Sequence, residues 1–177
     1  MSSRVAKRYA RALIDLAEKG QIEKWGMELD RLAVTVGAPE LYTRLASPEL
    51  SESSRELAMR TIAEKLDVSY PLRSLAVVVA RHGRIDQLKA IADAYRDLVD
   101  EILDQERATL TFAMQPSDEE VARVVSGLEA IARKKILPTI QVDSSLLGGV
   151  VAELGGKIYD GSLAARLAEA QRLMAGA

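Results

Sequence analysis

Asp143-Ser144-Ser145-Leu146-Leu147-Gly148-Gly149-Val150-Val151-Ala152-Glu153-Leu154-Gly155-Gly156-Lys157-Ile158-Tyr159-Asp160-Gly161-Ser162 is the stretch on which the fold turns. An apolar segment meets a Gly-Gly pair and returns as a second short apolar segment. Glycine reaches positive φ without a Cβ clash, so Gly155-Gly156 predicts a tight hairpin. Gly161 can supply the turn after the second strand. Ser162 is then a good N-cap for a last helix from Leu163 to Met174, its hydroxyl accepting from the open helix amides. No other stretch is this specific; elsewhere the pattern is helical.

Upstream of the hairpin the period is two. Ala108, Leu110, Phe112 and Met114 alternate with Thr109 and Thr111, which reads as a strand. Ser117-Asp118-Glu119-Glu120 is a capping box. Val121, Val124, Val125, Leu128, Ile131 and Ala132 follow at helical spacing, and Lys134 and Lys135 stand at the helix end, where cations complement the dipole. Thr139 to Val142 after Pro138 gives another short strand. Residues 106–177 therefore read as an α+β region with a small sheet and two helices.

Before about residue 105 the spacing is helical throughout. The first helix is expected from Ser3 to Lys19, with Val5, Tyr9, Ala12, Leu13 and Leu16 on one face, Arg4, Arg8, Arg11 and Asp15 on another, and Ala6, Ala10 and Ala17 widening a small-residue surface. Gly20 is its expected C-cap. The second carries Ile22, Trp25, Leu29, Leu32, Ala33 and Val36, closed by Gly37. Pro39 opens a short third ending near Ala46, and Ser47-Pro48 breaks the chain. A fourth starts near Ser51 and carries Leu57, Ala58, Ile62 and Leu66. Pro71 opens a fifth whose centre, Leu75 to Ala80, is apolar all round and could also form a strand; Pro71 and the His82-Gly83 stop favour helix. The sixth is expected from Ile85 to about Gln105. The fold class is thus mainly α: a six-helix bundle over 1–105, then the α+β region over 106–177, with the boundary near Leu103 to Arg107.

Composition excludes several functions. The 177 residues are 48% apolar and only 4% aromatic, so the core is Leu, Val, Ile and Ala. There is no cysteine, which removes disulfides, thiol nucleophiles and zinc-thiolate sites. The net charge of −2 is shared evenly between the two regions, too little positive charge to grip a phosphate backbone. With no GXXG loop, no aromatic pair on a strand and no basic stripe, nucleic acid is not an expected partner. No run of ~18 apolar residues could span a bilayer. Asp15 and Glu18 follow closely on the basic start, against a transit peptide.

Catalytic constellations are absent as well. His82, the only histidine, sits at a helix end without a partner and reads as a cap rather than a general base. A phosphate loop fails: Gly156-Lys157 would need glycine at Val151, and Ser or Thr at Ile158. Asp100-Glu101 and Glu119-Glu120 read as solvated helix faces, and Asp160 as a turn residue. No cofactor or metal is expected. Helices one and five carry more small and apolar surface than a core needs, and a groove of that kind can receive a partner helix.

Three segments resemble the delta subunit of bacterial F-type ATP synthase, whose mitochondrial counterpart is the oligomycin sensitivity conferral protein. They are Val5-Ala6-Lys7-Arg8-Tyr9-Ala10-Arg11-Ala12-Leu13, Ala80-Arg81-His82-Gly83-Arg84, and Asp143 to Val150 with Ile158 to Leu163 and Arg166-Leu167. The last is the specific signature; its structural residues are Gly148, Gly149, Gly155, Gly156, Asp160, Gly161 and Ser162. The sequence departs at Ser144, where proline or a basic residue is usual, near Leu147, and at His82, where asparagine is common. The resemblance implies a non-catalytic stator subunit. Its helical region would bind N-terminal helices of the alpha subunits of the catalytic head. Its C-terminal region would bind the ends of the b subunits of the peripheral stalk. Membrane association, on the cytoplasmic face of a bacterial inner membrane, would come only through the complex. Carried onto this chain, the groove would involve Ala6, Tyr9, Ala10, Leu13 and Ala17 of helix one and Leu75, Val78 and Val79 of helix five. The alternative is a helical adaptor unrelated to the synthase.

Overall fold

A computed structural model describes residues 4–18, 20–146 and 148–161. The last helix expected after Ser162, with Ser162 itself and Leu147, lies outside the described residues. Those described form seven α-helices, a 3-10 turn and one four-stranded sheet, so the protein is mostly helical. The chain divides into two compact units between Val99 and Asp100.

The first unit is built from α1 (Arg4–Leu16), α2 (Ile22–Val36), α3 (Pro39–Ala46), α4 (Glu52–Lys65), α5 (Tyr70–Arg81) and most of α6 (Leu88–Ile102). One core gathers buried residues from all six. The α2 stripe is as the spacing predicts: Ile22, Trp25, Leu29, Leu32, Ala33 and Val36 are all buried. Each large aliphatic side chain removed from water in this way contributes roughly 1.5–3 kcal/mol. Pro39 occupies the first turn of α3 after Ala38. Ser51 caps α4, accepting from the Ser54 amide at 3.2 Å. α5 is helix, not strand, and its end is set by chirality. Gly83 takes φ +62, and the Gly83 and Arg84 amides donate to the Ala80 and Val79 carbonyls at 3.0 and 2.9 Å. That pairing satisfies carbonyls the helix leaves open.

Long polar side chains hold the links between helices. Arg55 donates to the carbonyls of Leu45, Ser47 and Leu50 at 2.8, 3.1 and 3.2 Å, pinning the turn between α3 and α4. Glu28, buried in α2, accepts from the Ser69 amide at the start of α5 at 2.7 Å. The Tyr95 hydroxyl donates to the Ile22 carbonyl at 3.0 Å from inside the core.

Several boundaries differ from expectation. α1 stops at Leu16, not Lys19, and Gly20 is no C-cap: it keeps an ordinary φ in a turn closed by Gln21 N–H to the Glu18 carbonyl at 2.8 Å. The α1 core face is Ala6, Ala10 and Leu13; Leu16 is 66% exposed. Alanine rows win the buried side because they let helix backbones approach closely. In α4, Leu57 faces solvent while Met59 and Ala63 are buried. α6 begins after a 3-10 turn (Ile85–Gln87) and ends at Ile102, short of Gln105. Asp104 turns the chain with φ +50, and Gln105 starts the first strand.

The second unit has β1 (Gln105–Phe112), α7 (Asp118–Ala132), β2 (Lys135–Val142), β3 (Val150–Leu154) and β4 (Lys157–Asp160), in sheet order β2-β1-β3-β4. β1 and β2 are parallel, and α7 makes the crossover such a pair requires. β1–β3 and β3–β4 are antiparallel. Leu110 lies opposite Ile140 on one side and Ala152 on the other. α7 covers the face carrying Ala108, Leu110, Phe112, Ile136, Ala152 and Leu154. β2 is longer than expected, and Lys135 belongs to it rather than to the helix end. Pro138 stands inside it, which an edge strand tolerates. Met114 lies beyond β1 and is 74% exposed. The capping box forms, with Ser117 and Glu120 bonded reciprocally. Asp100 accepts from Arg107 and Gln105, which ties the last turn of α6 to β1.

Candidate partner-binding surfaces

α1 carries three parallel rows, each spaced i, i+4, i+7, i+11. Ala6, Ala10, Leu13 and Ala17 form the inner row. One residue back, Val5, Tyr9, Ala12 and Leu16 form a middle row. One further back, Arg4, Arg8, Arg11 and Asp15 form an outer row. A one-residue step turns ~100° around a helix, so the middle row borders the core face and the outer row lies beyond it. Burial follows that order: Ala6, Ala10 and Leu13 are buried, Ala17, Val5 and Tyr9 are half-buried, and Ala12, Leu16 and the whole outer row are exposed.

The expected groove residues therefore separate. Ala6, Ala10, Leu13, Leu75 and Val79 are core, while Tyr9, Ala17 and Val78 keep accessible surface. Val77 and Val78 line a depression walled by Arg60 and Glu64 of α4 and by Tyr70, Arg73 and Ser74 of α5. The end of α5 is tied to α1 by Arg84, whose Nη1 donates to the Tyr9 hydroxyl at 3.3 Å. Spacing puts Val5, Tyr9, Ala12, Leu13 and Leu16 on one face and leaves open which side of α1 packs; the buried side is the row of Ala6, Ala10 and Leu13.

In the second unit the signature glycines have conformational work. Gly155 and Gly156 take φ +57 and +75, as a two-residue hairpin loop needs when both residues are left-handed. A Cβ on Gly155 would lie 2.6 Å from Glu106 Oε1. Gly148 and Gly149 also have positive φ, and with Phe112, Met114, Pro116, Val124 and Val150 they border a cavity at the end of the sheet. The Gly161 amide donates to the Val150 carbonyl at 2.9 Å, extending the β3–β4 pairing past Asp160.

The carboxyls of Glu56, Glu120 and Asp143 are held below their usual range. The causes are the Arg81 guanidinium, the Ser117 amide and hydroxyl, and the Ser145 hydroxyl and amide respectively. A general acid at neutral pH needs the opposite shift. His82 is an exposed helix-end residue. Among the described residues, no cluster of His, Asp or Glu could hold a metal ion, and no helix is long and apolar enough to cross a membrane.

The helical unit thus leaves part of an apolar row on α1 exposed, and the second unit is a small sheet covered by one helix. The sequence family described as ATP synthase delta (OSCP) subunit matches residues 5–174. The chain belongs to that family, whose members are structural, non-catalytic subunits of ATP synthase. It is 35% identical to the ATP synthase subunit delta of Syntrophobacter fumaroxidans, over 92% of this chain and 90% of that protein. It is 33% identical to that of Geobacter sp. strain M21 and 36% identical to that of Anaeromyxobacter sp. strain Fw109-5. Those matches cover 96% and 95% of each chain respectively. In fold it is similar to a chain of the Toxoplasma gondii mitochondrial ATP synthase hexamer, with a TM-score of 0.66 and 18% identity over 97% of this chain and 98% of that one.

Proposed function

We propose that this chain is the stator link of an F-type ATP synthase. Its first region, a six-helix bundle over about 1–105, grips the catalytic head through N-terminal helices of the alpha subunits. Its α+β region over about 106–177 holds the C-terminal ends of the b subunits of the peripheral stalk. It would sit on the cytoplasmic face of the bacterial inner membrane and be peripheral there through the complex. Held at both ends, it stops the head turning with the central shaft. Such a part needs affinity rather than turnover, and two linked interfaces supply it through effective concentration.

The observation that carries the reading is the middle row of α1. A side chain such as Leu16, left 66% exposed beside a core that takes up Ala6 and Ala10, is what a second helix would cover. Tyr9 and Ala17 on α1 are the members of the expected groove beside that row that keep accessible surface, and Val78 on α5 keeps its own, facing the depression beside α4. Leu13 is not a clean probe, because a carboxylate there would sit in the core and unfold the unit. Leu16→Asp and Val78→Asp are. Both should fold and bind the isolated head at least tenfold more weakly than the parent chain. Undiminished affinity in both folded variants would sink this surface as the head contact.

A further inference from the structure

The outer row of α1 carries three arginines, Arg4, Arg8 and Arg11, and ends on Asp15. The N-terminal end of a helix carries partial positive charge and favours acidic side chains. α2, α3, α4 and α7 have acids in their first turns; α1, α5 and α6 have none, and α1 carries Arg4 and Lys7 there. Arg4, Lys7, Arg8 and Arg11 are all exposed. Among the described residues no carboxylate pairs with Arg4, Lys7 or Arg8. Arg11 meets Asp15 at 3.8 Å with both side chains about two-thirds exposed, a weak contact. Arg8 lies over the Tyr9 ring, 5.8 Å from its centre, and Arg84 bonds the same tyrosine's hydroxyl. Cations therefore run along one border of the exposed apolar row, and Tyr9 is braced from two sides.

We infer that this shoulder takes an amphipathic helix whose apolar ridge is flanked by aspartates or glutamates. The apolar ridge covers Val5, Tyr9, Ala12 and Leu16, and the flanking carboxylates meet Arg4, Arg8 and Arg11. The inference rests on reading α1 as the docking element, and adds the charge of what docks. Opposite charges at the rim of such a contact accelerate encounter and reject wrongly charged helices. An anionic membrane is the other surface a basic amphipathic helix suits. It is disfavoured here because the row is short of bulky apolar groups and its one aromatic is held by Arg84.

The test uses the full chain and two synthetic helical peptides with the same leucine ridge, one flanked by glutamates and one by lysines. The acid-flanked peptide should bind at least tenfold more tightly at low salt, and should lose most of that preference when ionic strength is raised past the point where the screening length falls to ~3 Å. Arg4→Glu/Arg8→Glu should reverse the preference. Its melting temperature should stay level or rise, since acids suit that helix end, so the loss cannot be put down to unfolding. Equal binding of both peptides, an unreversed preference in the variant, or binding of phosphatidylglycerol vesicles in place of either peptide would overturn the inference. A parallel titration with the isolated head separates the two readings. Head binding without a charge preference leaves the stator link and removes this inference. A charge preference without head binding does the reverse.

Discussion

Tyr95 shows how much one polar atom can fix at the residue scale. Its ring is fully buried in α6, and its hydroxyl satisfies the Ile22 carbonyl at the start of α2. Burial pushes the phenol up to about 12. A raised folded value means the unfolded chain releases its proton first as pH rises. The contribution is therefore whole below the ordinary tyrosine range and is lost as pH climbs through the folded value. Tyr95→Phe should cost about 0.5–1.5 kcal/mol at neutral pH, by removing that buried hydrogen bond. It should also remove a late-titrating phenol from an ultraviolet pH titration. A titration curve unchanged by the substitution would contradict the buried hydroxyl. Gly155 is the corresponding residue in the sheet. Valine there must take φ near +57 and displace the Glu106 carboxylate, at a cost of about 1–3 kcal/mol. Chemical denaturation followed in the two units should show the second destabilised and the first untouched, and stalk binding should weaken with it. This glycine pair was legible in the sequence because a two-residue left-handed loop admits few alternatives. Tyr95's hydroxyl partner was not legible, because a hydrogen bond spanning α6 and α2 leaves no trace in local spacing.

At the scale of the element, α1 separates packing from docking. Its inner and middle rows are equally apolar, and periodicity cannot choose between them. Spacing puts Val5, Tyr9, Ala12, Leu13 and Leu16 on one face without saying which side packs; the structure buries Ala6, Ala10 and Leu13 and leaves Ala12 and Leu16 exposed. Ala10→Leu should therefore destabilise the chain by about 1–3 kcal/mol through overpacking. Leu16→Ser should change stability by no more than about 0.5 kcal/mol, as an exposed site does, while weakening head binding. Thermal melting of the two variants checks the pair, and the opposite ranking would mean the helix is rotated from the orientation described. Helix stops fared unevenly for a related reason. Gly83 was readable because its positive φ ends α5, whereas Gly20 was not, because α1 ends at Leu16 without a residue that marks the stop. The β2 strand was read too short because Pro138 looks like a boundary; on a sheet edge it is not one.

Across the whole molecule, the order of helical and strand periods already separated a helical first part from an α+β second part. The hairpin was visible in advance. The central place of β1, parallel to β2 and antiparallel to β3, was not, because pairing between distant strands depends on which faces α7 leaves open. The proposed docking residues were the least legible part, because two neighbouring apolar rows obey the same pattern and only burial tells which one the chain covers itself. The stator account needs both units to be occupied at once. Mixing the full chain with the isolated catalytic head and a soluble b-subunit dimer, and weighing the particles formed, tests that directly. The account predicts a single particle containing all three, lost when the chain is omitted. Head and stalk that remain separate with the chain present would contradict it.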